Sequence, residues 1–126
     1  MNVALWIVAG LLTVAFLAAG SLKLVKSKEQ LAEEMEWGWV EDFTQQQIRA
    51  IGALEVLGAI GLVLPPLLGV AEWLTPVAAT GLVLTMAGAV STHVKRGDET
   101  VHIIPPAVLG LLALFVAIGR FFIESF

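Results

Sequence analysis

Four apolar runs, each close to the roughly 20 residues a helix needs to cross a bilayer core, take up most of this 126-residue chain. They fall at about 3–26, 45–64, 76–94 and 103–123, so a single four-helix transmembrane domain over 1–126 is the expected organisation. Composition agrees: hydrophobic residues make up 58%, charged residues 14%, and mean hydropathy is +0.89, well above a water-soluble mix. The fold class predicted is an all-α membrane protein, a four-transmembrane-helix bundle in contact with the lipid bilayer, multi-pass in the cell membrane. Ala18-Ala19-Gly20-Ser21 resembles a small-residue cleavage site, but Met1 to Leu12 carries no basic residue. The first run is therefore expected to remain a span.

Local signals set the expected ends. Thr44 and Gln47 form a capping box, with Phe43 and Ile48 as the hydrophobic staple. Pro65-Pro66 should stop the second span at Leu64, and Thr75-Pro76 offers an N-cap and a first-turn proline to the third. Pro105-Pro106 either opens the fourth span or kinks a helix that starts near Asp98 and takes in His102. Between the first two spans, Ser27 and Gln30 make a second capping box, and Leu31, Met35 and Trp39 recur every four residues. That spacing predicts a short interfacial amphipathic helix over about 28–37, ended by Gly38. Trp37, Trp39 and Phe43 are then expected at headgroup depth.

The basic residues are unevenly spread. Lys23, Lys26, Lys28, Arg49, Lys95 and Arg96 fall on the side of the first and third connections, and only Arg120 on the other. By the positive-inside rule both termini are predicted on the non-cytoplasmic side. Helix contacts are expected at small pairs four apart: Ala15 and Ala19, Gly81 and Thr85, Ala87 and Ser91, Ala113 and Ala117. Such pairs serve packing within one chain or a homo-oligomer.

Glu55 is the residue that asks for a reason, since a lone carboxylate inside a span costs about 2.5–3.5 kcal/mol on insertion scales. Steps of three, four and seven put it on or beside the helix face that carries Gly52, Gly58, Ala59 and Leu62, so it should face protein. Lys23 lies at the matching depth, about one lysine stem away, and is the expected partner. Thr92 and His93 close the third span on the same side, with Arg96 and His102 in the adjoining loop. Together with Arg49 they suggest a polar pocket opening inward between the helices.

At this point the residues resemble a known family. Ala19-Gly20-Ser21-Leu22-Lys23-Leu24, the stretch Gly52-Ala53-Leu54-Glu55-Val56-Leu57-Gly58-Ala59-Ile60-Gly61-Leu62, and His93 followed by Lys95-Arg96-Gly97 are similar to the DoxX-like family of small four-span membrane proteins. The resemblance implies the same four-span fold. Its members are linked to a quinone-reducing thiosulfate oxidoreductase, to membrane oxidoreductase complexes and, in distant animal relatives, to chaperoning of membrane receptors. It carries over to Lys23, Glu55 and His93 as polar positions, with a quinone as the ligand it allows and a membrane or redox protein as a partner.

Exclusions narrow the reading further. The chain has no cysteine, so the thiol chemistry of the similarly built vitamin K epoxide reductases is ruled out. A net charge of −4 argues against nucleic acid. Residue spacing offers no metal constellation, phosphate loop or cofactor motif. His93 and His102, read as axial haem ligands, would sit at the membrane edge beside a loop, where capping or interfacial roles are the plainer reading. Two functions remain: a non-enzymatic binding or assembly component with a pocket around Glu55, or a redox accessory subunit in which Glu55 and His93 exchange protons with a quinone.

Overall fold

The helices follow the apolar runs, but their ends are set by how orphaned backbone groups find partners. The structure is a computed structural model and describes residues 1–126. Its elements are α1 (Asn2–Val25), α2 (Lys28–Glu34), a 3-10 turn (Gly38–Asp42), α3 (Gln45–Leu68), α4 (Leu74–Arg96) and α5 (Thr100–Ile118), the last running into a π turn (Gly119–Ile123). Four helices are long and apolar enough to span a membrane, and the short α2 stands between the first two. The chain is an all-α multi-pass membrane protein.

The long helices pack in the cyclic order α1, α3, α4, α5. Both termini and the turn at 69–73 therefore share one end, the terminal end. The connections at 26–44 and 97–99 share the other, the loop end. Phe16, Leu12, Leu62, Leu82 and Val116 meet in the core, where van der Waals contact rather than water exclusion holds helices together in lipid.

Pro65-Pro66 does not end the second span at Leu64, as its chemistry predicts. Helix α3 continues to Leu68, and Gly69 at φ 67° closes it with a Schellman motif: Val70 N–H donates to Pro65 O and Gly69 N–H to Pro66 O. Two prolines remove the donors that Gly61 and Leu62 carbonyls would have used. The Thr75 hydroxyl takes over, 3.2 Å from Gly61 O and 3.1 Å from Leu62 O. Thr75 is thus not an N-cap. Helix α4 starts two residues earlier than expected, at Leu74, and turns the fully buried Thr75 back onto α3.

Pro105 and Pro106 also lie inside a helix, α5, which takes in His102 and starts before the expected 103. The short helix α2 stops at Glu34, not 37, because Glu36 adopts φ 56° and redirects the chain. Trp39 consequently sits on the 3-10 turn, off α2. Both capping boxes form, Ser27 with Gln30 and Thr44 with Gln47. Leu31 turns its side chain onto Val40 and Ile48, with Trp37, Trp39 and Phe43 packed around them. That apolar face is covered by protein.

Candidate functional site

The site begins at two glycines. Where α1 crosses α3, a Cβ on Gly20 would stand 2.7 Å from Gly52 O, and one on Gly52 would stand 2.8 Å from Gly20 O. Only glycine lets the two backbones meet there. Three residues further along each helix come Lys23 and Glu55, which this crossing turns toward each other. Lys23 Nζ donates to Glu55 Oε1 at 2.6 Å, and Glu55 is 2% exposed. The ammonium also lies 5.2 Å from the Trp37 ring centroid and 5.8 Å from that of Trp39, within cation–π range. The two indoles are half-buried and turned inward over Lys23. Headgroup depth, expected from the sequence, says nothing about direction; here the rings face the cavity rather than the outside of the bundle.

The facing wall is built by the end of α4. Gly97 at φ 72° closes that helix with a second Schellman motif, Asp98 N–H donating to His93 O and Gly97 N–H to Val94 O. The geometry returns Asp98 to His93. His93 Nδ1 is 2.7 Å from Asp98 Oδ2. A carboxylate only accepts, so Nδ1 carries the hydrogen. Arg96 Nε donates to the same Oδ2 at 3.3 Å, and its Nη1 reaches Asp42 Oδ1 at 3.1 Å, tying the 3-10 turn to α4. The His93 hydrogen bond first, and the Arg96 charge after it, hold the Asp98 carboxyl below its ordinary 3.8 against the opposing effect of burial. The His102 ring stacks on His93 with centroids 6.2 Å apart and planes 18° apart.

Between these walls lies a cavity of about 760 Å³ in the loop-end half of the bundle, lined by Lys23, Glu55, Thr92, His93 and His102 and roofed by Trp37 and Trp39. Five of the residues singled out in the sequence thus come together. Thr92 contributes little polarity, because its hydroxyl donates to Gly88 O within α4. Arg96 acts from behind, through Asp98. Arg49 is exposed on α3, lines no part of the cavity and makes no ion pair.

Sequence reasoning missed Asp98, Gly20 and the inward turn of the tryptophans. Asp98 had a usable signal: the residue after a helix-ending glycine falls beside the residue five before it. Gly20 had none within α1 alone, since its partner is on another helix. The expected contact pairs divide in a similar way. Ala113 and Ala117 are buried, whereas a Cβ at Gly81 would touch nothing and Ala87 and Ser91 face outward.

Among curated proteins and among solved structures nothing matches this chain. The sequence pattern of the DoxX-like family does match it, over residues 7–116. That span takes in the Gly20–Gly52 crossing, the Lys23–Glu55 pair and the His93–Asp98 clasp, and on it the chain belongs to the DoxX-like family.

Proposed function

We propose that this chain is a non-enzymatic binding component of the membrane, whose loop-end cavity holds a small, mainly apolar molecule by a hydrogen-bonding head. The observation that carries this reading is the cavity itself. Its volume of about 760 Å³ falls within the range of small-molecule sites, roughly 300–1,000 Å³, and such sites combine apolar walls with a few convergent polar groups. Lys23 gives Glu55 one of its three hydrogens and keeps others for a ligand acceptor. His93, with Nδ1–H fixed on Asp98, offers Nε2 as an acceptor. The basic residues gather at the loop end, so that end faces the cytoplasm and both termini lie outside.

One observation favours a second reading. A carboxylate holding Nδ1–H is the arrangement that orients an imidazole for proton exchange at Nε2. In a redox accessory protein, that nitrogen would serve a quinone head while a partner protein supplied the electrons.

The test is extraction of the purified protein followed by mass spectrometry, with Thr92→Trp as the filled-cavity control. Wild type should carry an apolar molecule at about one per chain and Thr92→Trp should lose it. Equal content in the two proteins overturns the binding reading. A quinone in the extract, with a midpoint potential that changes in His93→Gln, moves the assignment to the redox reading.

A further inference from the structure

The seam between α3 and α4 is closed in one half and open in the other. In the terminal half, a Cβ on Gly58 would stand 2.8 Å from a Leu82 methyl, and one on Gly61 would stand 2.9 Å from the Ala78 Cβ. Continuing along the same seam toward the loop end, contact stops. Leu54 and Leu84 line the cavity and yet are 58% and 69% exposed. Gly88 also lines it, and a Cβ there would meet no atom within 4 Å. These residues belong to the cavity and to the outer surface at once, so the wall has a gap.

Depth decides what lies outside that gap. Leu54 is nine residues from the start of α3 at Gln45, and Leu84 is twelve from the end of α4 at Arg96. At 1.5 Å per residue these are about 14 and 18 Å from the loop end, near the middle of a hydrocarbon core about 30 Å thick. Val101, His102 and Pro105, the exposed lining residues of α5, lie one, two and five residues from its start at Thr100, within about 8 Å of the loop end. The gap beside Leu54 and Leu84 thus opens onto acyl chains, not water.

Charge decides what enters. Lys23 is matched by Glu55, and Asp98 by Arg96 and His93. An additional charge brought among them, away from the exposed Glu36 that also lines the cavity, would have no partner and would carry its full desolvation cost. An uncharged head can accept from Lys23 through a carbonyl or hydroxyl oxygen, and a hydroxyl can also donate to an imidazole, without that cost.

Resting on the binding reading above, we propose that the ligand is an uncharged, membrane-partitioned amphiphile. Its carbonyl or hydroxyl head sits between the Lys23–Glu55 pair and His93, and its tail leaves sideways between α3 and α4, past Leu54, Leu84 and Gly88.

The probe is a monoacylglycerol with a diazirine midway along its chain, photolysed with the full chain in phosphatidylcholine nanodiscs, with and without excess unlabelled monoacylglycerol. Competable adducts should map to Leu54, Leu84 and Gly88. Gly88→Trp should lower them about tenfold, the loss of one decade of affinity, whereas Gly81→Trp, equally open but in the terminal half, should leave them unchanged. Leu84→Ala widens the gap and should keep or raise the labelling, which guards against a Gly88→Trp protein that does not fold. Competable adducts on Trp37 and Gly38, or on Val101 and Pro105, with none at the seam would overturn the sideways exit while leaving the binding reading intact. No competable adduct on any cavity residue overturns both.

Discussion

The two halves of the bundle use the same four helices in opposite ways. In the terminal half α3 is closed on α4 and α1 on the end of α5: Leu82 and Ala78 press on Gly58 and Gly61, Leu5 sits over Gly119, and Thr75 bonds back to α3. Arg120, 4% exposed, adds a clasp there, donating to Asn2 Oδ1 at 2.8 Å and Glu124 O at 2.9 Å beneath the Phe126 ring. In the loop half, α1 stays tight on α3 through Gly20 and Gly52, and α4 on α5 through Met86 against Gly110. The space lies between these two pairs. Looseness here is directed: two rigid hairpins part at one end, and the chain's buried ion pair and paired histidines stand on the walls they expose. Small residues close a seam, and charged ones need the room that an open seam provides.

The sharpest way to break this comparison is to remove one member of the buried pair. Lys23→Met or Glu55→Gln alone should cost about 3–5 kcal/mol, because the remaining group is left buried without its partner, while the double variant should recover most of the loss. A thermal-unfolding cycle in detergent reads it; simple additivity of the two single effects would show that the residues do not interact. Next in size is the helix crossing. Gly20→Ala should cost about 1–3 kcal/mol by overpacking against Gly52, and Gly81→Ala, which meets nothing, should slightly stabilise α4. Equal effects in the two variants would remove the distinction between a glycine that closes a seam and one that does not.

Thr75→Val tests the terminal half at a smaller scale. Two carbonyls lose their only side-chain donor, an expected cost of about 1–2 kcal/mol, whereas Thr85→Val, whose hydroxyl bonds only Gly81 O of its own helix, should be near neutral. The smallest effect is that of pH on the His93–Asp98 clasp. Asp98 titrates below its ordinary 3.8 in the folded protein, so the clasp contributes above the carboxylate range and is lost as pH falls through the lowered folded value. Trp37 and Trp39 fluorescence should follow that loss in wild type and stay flat in Asp98→Asn.

The spans, both capping boxes and the Lys23–Glu55 contact were legible in the sequence because each depends on spacing along one helix or on depth along two. What depends on lateral position was not. Gly20 and Gly52 meet only because two helices cross at those residues, and neither sequence neighbourhood reveals the other. Pro65-Pro66 looked like a stop because its remedy, the Thr75 hydroxyl, lies across a turn. The inward turn of Trp37 and Trp39 was not legible because amphipathic spacing records that a face is apolar, not whether lipid or protein covers it. Arg49 had the right depth for the pocket and the wrong direction.

The turn at Thr75 has a mechanical consequence. It clamps α3 to α4 at the terminal end, so any relative motion of the two hairpins pivots there. From that contact at Leu62 to the start of α3 at Gln45 is 17 residues, a lever of roughly 26 Å at 1.5 Å per residue, and a tilt of about 5° carries its far end through about 2 Å. A displacement too small to disturb packing at the fulcrum becomes, at the tip, the difference between a slot that passes a methylene chain and one that passes a ring.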